Sequence, residues 1–214
     1  TQPITFTTSS ATPAPGQWNG LNFPGTTAAS LCDYCVIEYG GADTNNANIR
    51  IASSSPTFTH TTIRSSDGYG VYVTGTNVKP TLTDNTFTAN GSYPLHLELL
   101  NFPTTLSGNT YTANGTQAIE LLGGSTTSTT SAITLLYDGL PYVVTSSITI
   151  NPGYPGTHTL TLQPGVTLKF AARMNELGWE LKEFSPGGGF AIPYVERQTV
   201  PSTDEYAQAL VSAL

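Results

Sequence analysis

Three side chains capable of acid–base or recognition chemistry recur at intervals of 24 residues: Tyr72, His96 and Glu120. Glu98 stands two places beyond His96, and Tyr69 and Tyr93 repeat the same interval in an adjoining column. A histidine beside carboxylates can move protons, and aromatic rings beside carboxylates are the parts of a sugar-binding groove. Tyr69, Tyr72, Tyr93, His96, Glu98 and Glu120 are therefore the candidate carbohydrate-binding residues, weighed against an ordinary solvated surface. Catalysis by this set is not expected. Paired glycosidase carboxylates need a defined separation across a cleft, and the repeats around these residues have almost no insertions with which to build walls.

The interval belongs to a repeat. Pro80–Leu97 reappears as Leu106–Leu121, with Asn85 on Asn109, Phe87 on Tyr111 and Asn90-Gly91 on Asn114-Gly115. One step back, Phe58 falls on Leu82, Ile63 on Phe87, and Val71 and Val73 on Leu95 and Leu97; a looser copy places Cys35-Val36-Ile37 on Thr61-Thr62-Ile63. Each unit holds short alternating runs such as Thr-Phe-Thr and Val-Tyr-Val between Gly, Asn, Pro and Ser turns, which is strand patterning. Three short strands per period of about two dozen residues make a solenoid whose coils bury their apolar faces only by stacking. The expected fold is all-β: a right-handed parallel β-helix of about seven coils over residues 1–170, with a short C-terminal cap or arm containing helix over 171–214.

The register sorts the other notable residues. Thr61, Asn85 and Asn109 face inward and form an amide ladder that satisfies turn backbone. Cys32 and Cys35 sit in inward columns on a strand and a bend, which disfavours a thioredoxin-like role and leaves two buried thiols or a local disulfide. Asn90-Gly-Ser and Asn114-Gly-Thr are turn sequences, because both Asn and Gly tolerate positive φ; they are also the two acceptor sequons for glycosylation. Thr62, Thr86 and Thr110 form an outward Thr-x-Thr array beside Arg64, Thr88 and Thr112, a third and lesser reading being an ice-binding face. Asp33, Asp43, Asp67, Asp84 and Asp138 are scattered, so no metal or other cofactor is expected.

Composition narrows the class. The 214 residues include 36 Thr, 21 Gly and 15 Pro, only 10% are charged, and the formal net charge is −7. Seven Lys plus Arg make neither a nucleic-acid footprint nor a polybasic membrane patch. No apolar run reaches the ~18 residues of a membrane span. Low charge with abundant Thr and Asn suits an extracellular or cell-surface location.

Trp18–Phe23 and Leu31–Gly41 resemble the coils of right-handed β-helix repeat proteins of bacterial and archaeal surfaces, which share the pectate-lyase-like shape. Tyr142–Ile150 with Leu160–Phe170 is similar to the segment that opens such modules. The resemblance covers about 170 residues and implies the fold; its members include lyases, hydrolases, adhesins and structural proteins. It also implies that Ile4–Phe6 lies mid-module, so the chain is out of phase with the familiar unit and its ends are suited to head-to-tail stacking as a homo-oligomer. The tail departs from the repeat: ten of 21 charged residues lie from Lys169 onward, and Ser202-Thr-Asp-Glu205 reads as a capping box. The leading expectation is a non-enzymatic structural module of a surface structure or filament, assembling through its solenoid ends and C-terminal arm. The alternative is a carbohydrate-binding or polysaccharide-degrading β-helix.

Overall fold

The computed structural model describes residues 2–25, 30–75, 78–126, 131–150, 153 and 156–170. The tail expected to cap the solenoid or dock elsewhere, 171–214, lies outside the described residues. Strands of two to five residues turn at sharp corners and stack in parallel. A first sheet orders Ile4–Phe6, Cys35–Glu38, Thr62–Arg64, Thr86–Thr88 and Thr110–Thr112. A second orders Leu21–Phe23, Ala47–Ile51, Tyr69–Val73, Leu95–Glu98, Ile119–Leu122, Tyr142–Val144 and Leu168–Phe170. The third holds Leu31–Asp33, Thr57–Thr59, Thr81–Thr83 and Thr105–Ser107. Two further parallel pairs, Gly124–Ser125 with Ile148–Thr149 and Ser131–Leu135 with His158–Leu162, flank the second sheet's last strands.

The seven strands of the second sheet enclose about six turns, one fewer than the expected seven coils. The first coil places Ile4–Phe6, Leu21–Phe23 and Leu31–Asp33 in the three sheets and runs through a long connection, residues 7–20. That connection is tied down by Gly16 N–H to Gly40 O (3.1 Å), by Trp18 Nε1–H to Glu38 O (2.8 Å), and by Thr7 to Glu38 Oε1 (2.9 Å). Arg64 holds the other oxygen of the same carboxylate at 2.6 Å. This brace joins three consecutive coils.

The columns run in the expected register: Ile63–Phe87–Tyr111, Val71–Leu95–Ile119 and Cys32–Phe58–Leu82. Their inward members form one continuous core in which Ile37, Ile49, Phe58, Ile63, Leu82, Phe87, Leu95 and Ile119 are fully buried. Each such side chain contributes about 1.5–3 kcal/mol by leaving water.

Corners are the costly part of each coil. Tyr34, His60, Asp84 and Gly108 occupy one column of left-handed backbone, and Tyr39, Ser65, Ala89 and Ala113 another. The conformation costs a non-glycine residue roughly 1–2 kcal/mol. The next residue compensates by turning inward. Thr61 N–H donates to Asn85 Oδ1 (3.0 Å) and Asn85 N–H to Asn109 Oδ1 (2.9 Å), while the Nδ2 groups of Asn85 and Asn109 donate to Phe58 O and Leu82 O. A second ladder lies at the other corner. Ser66 N–H donates to Asn90 Oδ1 (3.2 Å) and Asn90 N–H to Asn114 Oδ1 (3.2 Å); Asn90 Nδ2 reaches Ile63 O and Asn114 Nδ2 reaches Phe87 O. Where that column carries Gly40, Asn48 from the neighbouring strand supplies the missing acceptor, 2.8 Å from Gly40 N.

Both ladders end on a different chemical group. Asp138 accepts from Asn109 Nδ2 (2.6 Å) and from the Tyr111 hydroxyl (2.8 Å). Gln117 Oε1 accepts from the backbone and side-chain nitrogens of Asn114, both at 3.1 Å. At the opposite end of the first ladder Cys35 takes the rung position, its N–H meeting Thr61 Oγ1 (3.3 Å). Cys35 is joined there to Cys32 in a disulfide instead of standing as one of two buried thiols.

The ladders correct the reading of Asn90 and Asn114. The positive φ falls one residue earlier, at Ala89 and Ala113, and the asparagines point into the core at 1% and 6% exposure with their Nδ2 atoms committed. Neither can accept a glycan in this fold. Replacing Asn85 by Ala leaves Thr61 N–H and Phe58 C=O without partners inside the core. Urea unfolding is expected to report a loss of about 2–4 kcal/mol, whereas outward-facing Thr86→Ala should stay within about 0.5 kcal/mol. Equal effects at the two positions would remove the ladder from the stability account.

Candidate functional site

The outward column of the second sheet runs Asn22, Arg50, Tyr72, His96, Glu120, Val143, Lys169. Three consecutive coils thus deliver Tyr72, His96 and Glu120 in line. Tyr69 opens its strand, fixed by its N–H to Asn46 O (2.6 Å), and Tyr93 lies one coil along beside it. The structure brings together five of the six candidate residues. His96 Nδ1 is 2.7 Å from Glu120 Oε2, and the His96 ring stacks on Tyr72 at 4.1 Å and 2°. Tyr69 meets both rings edge-on, at 5.5 and 5.4 Å, and lies parallel to Tyr93 at 6.3 Å.

Glu98, the sixth, is engaged elsewhere. Thr74 Oγ1 donates to its Oε1 and Asn101 Nδ2 to its Oε2, both at 2.6 Å. Its carboxylate reaches the cluster only as a charge near Tyr72.

Electrostatics fix the proton positions. Burial pushes the Glu120 carboxyl up, but hydrogen bonds from His96 and Tyr69 outweigh it and hold Glu120 below the ordinary carboxylate range. Burial first, then the bond to Glu120 and its charge, raises the Tyr69 phenol well above its usual value; Tyr72 and Tyr93 are raised by burial and by nearby carboxylate charge. The phenols are therefore donors. An ionised Glu120 accepts, so Nδ1 of His96 carries the proton between them. Nε2 has no partner and no contact with solvent.

His96 is only 5% exposed although its column faces outward, because aromatic side chains cover it. A solvated surface is thus the wrong description of this position. A general base must come within hydrogen-bond reach of its substrate's proton, and Nε2 offers none in this arrangement. What the cluster does is join the coils that carry Tyr69 and Tyr72, His96 and Glu120.

Two further polar clusters were hidden from the sequence reading. Asp33 holds His60 Nδ1 at 2.9 Å, with Asp84 4.0 Å from Nε2 and Tyr34 stacked on the imidazole at 4.6 Å. Asp33 is lowered below its ordinary value chiefly by the bonds from His60 and Thr59. The signal was there, since Tyr34, His60 and Asp84 share the corner column, but the side chain of Asp33 joins from a strand. Glu38 with Arg64 is the second case; they are direct cross-strand neighbours in a coil 26 residues long.

The outward threonines of the first sheet bond along the stack, Thr110 Oγ1 to Thr86 Oγ1 (3.1 Å) and Thr112 Oγ1 to Thr88 Oγ1 (3.0 Å). A second Thr-x-Thr array, Thr57/Thr59 and Thr81/Thr83 continuing to Thr105/Ser107, occupies the third sheet. Among the described residues no three His, Cys, Asp or Glu gather as metal ligands, and no helix is long and apolar enough to cross a membrane.

Residues 35–134 match a family model described as a right handed beta helix region. The parallel three-sheet stack has the fold that this description names, an all-β parallel β-helix of about six turns. No curated protein and no solved structure matches the chain.

The Glu120 bonds carry a pH signature. A carboxylate held below its unfolded value contributes stability that is present above the ordinary carboxylate range and lost as pH falls through the folded value. Acid unfolding of the native chain should therefore steepen in that window, and Glu120→Gln should flatten it while lowering the neutral-pH Tm. Superimposable acid-unfolding curves for the two proteins would refute this role.

Proposed function

We propose that this chain is a non-enzymatic structural module of an extracellular or cell-surface assembly. One observation carries the reading: the groups best suited to chemistry are bonded between coils. Glu120 is held by His96 and Tyr69, Glu98 by Thr74 and Asn101, and Glu38 by Arg64 and Thr7. Side chains spent on longitudinal bracing suit a load-carrying rod better than a turnover site.

Assembly would proceed by stacking a second copy on the end formed by Ile4–Phe6, Leu21–Phe23 and Leu31–Asp33. Each of these strands has a parallel neighbour on one side among the described residues, and Ile4 and Leu31 are 62% and 69% exposed. Unpaired strand edges bearing apolar side chains are templates for further strands. Electron microscopy of the purified chain is expected to find rods that lengthen with concentration, and Ile4→Lys with Leu31→Lys should shorten them. Monodisperse short rods at high concentration would sink the assembly reading.

The partly exposed Tyr69, Tyr72 and Tyr93 favour a second reading, contact with a glycan. A glycan array separates the two. The bracing role predicts no binding; binding by the native chain that disappears in both His96→Ala and Glu120→Ala would replace it with carbohydrate recognition.

A further inference from the structure

Asn-Gly is the sequence in which backbone attack on an asparagine amide is least hindered, since glycine places no side chain near the attacking nitrogen. It occurs at Asn19-Gly20, where the asparagine is exposed, and at two buried ladder positions, Asn90-Gly91 and Asn114-Gly115. Asn90 and Asn114 supply rungs of the second ladder. The residue after each must be glycine for a separate reason: a Cβ on Gly91 would lie 2.2 Å from Asp67 O, and one on Gly115 would lie 2.1 Å from Gly91 O. Neither glycine has a positive φ. The close approach of consecutive coils excludes any side chain there, so the ladder and the packing together impose a chemically labile pair.

The folded coil also restrains the reaction. The attacking nitrogens are occupied, Gly91 N–H donating to Ser66 O (2.9 Å) and Gly115 N–H to Asn90 O (2.8 Å). Both asparagine amides are buried and bonded at oxygen and nitrogen. Protection is unequal along the ladder. Asn90 has rungs on both sides, Ser66 and Asn48 before it and Asn114 after it. Among the described residues Asn114 is the last rung, and Gln117 holds its far side.

We infer that Asn114 is the first of the two ladder asparagines to deamidate spontaneously, gated by opening of the Gln117 cap. In the opened corner, hydroxide removes the Gly115 amide proton and the nitrogen attacks Cγ of Asn114. The N–Cγ bond forms, the Cγ–Nδ2 bond breaks, and ammonia leaves. Water then opens the five-membered imide to aspartate or isoaspartate. The product has lost the donor that met Phe87 O and Gln117 Oε1, and a carboxylate now faces both acceptors. The corner at Phe87 loses its donor, and the Gln117 cap its side-chain partner.

The test is peptide mapping by mass spectrometry of the native chain held folded in mildly alkaline buffer, with isoaspartate counted enzymatically. Deamidation is expected at Asn114 before Asn90, with both about tenfold or more slower than in the urea-unfolded chain, because reaction is limited to the fraction transiently open. Gln117→Ala should raise the Asn114 rate several-fold and leave Asn90 slow. Gln117→Glu, which keeps the accepting oxygen, should restore protection. Circular dichroism checks that each variant is folded, and the order in the native chain stands as a test without any variant. Asn90 reacting first or at the same rate, equal rates in folded and unfolded chain, or an Asn114 rate indifferent to a folded Gln117→Ala variant would each overturn the inference.

Discussion

Everything in this molecule depends on how a tight corner in one coil obtains hydrogen-bond partners from the next. A coil of three short strands must turn so sharply that Tyr34, His60 and Asp84 take left-handed backbone, as do Ser65, Ala89 and Ala113. The bends bury N–H and C=O groups that no strand ladder can reach. Inward Thr and Asn side chains answer that need: each asparagine amide closes one N–H and one C=O of the preceding coil. An unpaired buried group costs about 1–3 kcal/mol, so corners without rungs would offset much of the apolar burial gained by stacking.

The outer faces follow the same economy. Stacked coils bring identical positions close together, where like charges repel and complementary partners attract. Several of the ionisable residues that remain are paired along the axis: Glu38 with Arg64, Asp33 with His60, Glu120 with His96. The low charge of the chain and these pairings have one cause.

Much of this was legible in the sequence. The 24-residue offset placed Ile63, Phe87 and Tyr111 in one column and Leu95 with Ile119 in another, and it pointed Thr61, Asn85 and Asn109 inward. It aligned Tyr72, His96 and Glu120 as well. What it missed has physical reasons. Asn90 and Asn114 precede glycine, the commonest turn signal, yet the strained residue is the alanine before them. His96 is buried because rings from neighbouring positions lean over it, and side-chain lean is invisible to a register. The coil count came out one high because seven strands in one sheet enclose only about six turns. Asp138 and Gln117 were passed over because a ladder's terminus repeats nothing.

The polarity of the ladders has a consequence for how the rod comes into being. The asparagine rungs of the columns serve the coil made before them: Asn85 completes the Thr61 corner and Asn109 the Asn85 corner, while Asn48, off the column, reaches forward to Arg64 O. A chain emerging from its amino end therefore carries one unfinished corner in each ladder at its growing tip, with the earlier rungs of both columns already met. Synthesis and folding can advance together one coil at a time, and termination requires a residue that accepts without demanding a successor. Asp138 and Gln117 are those full stops.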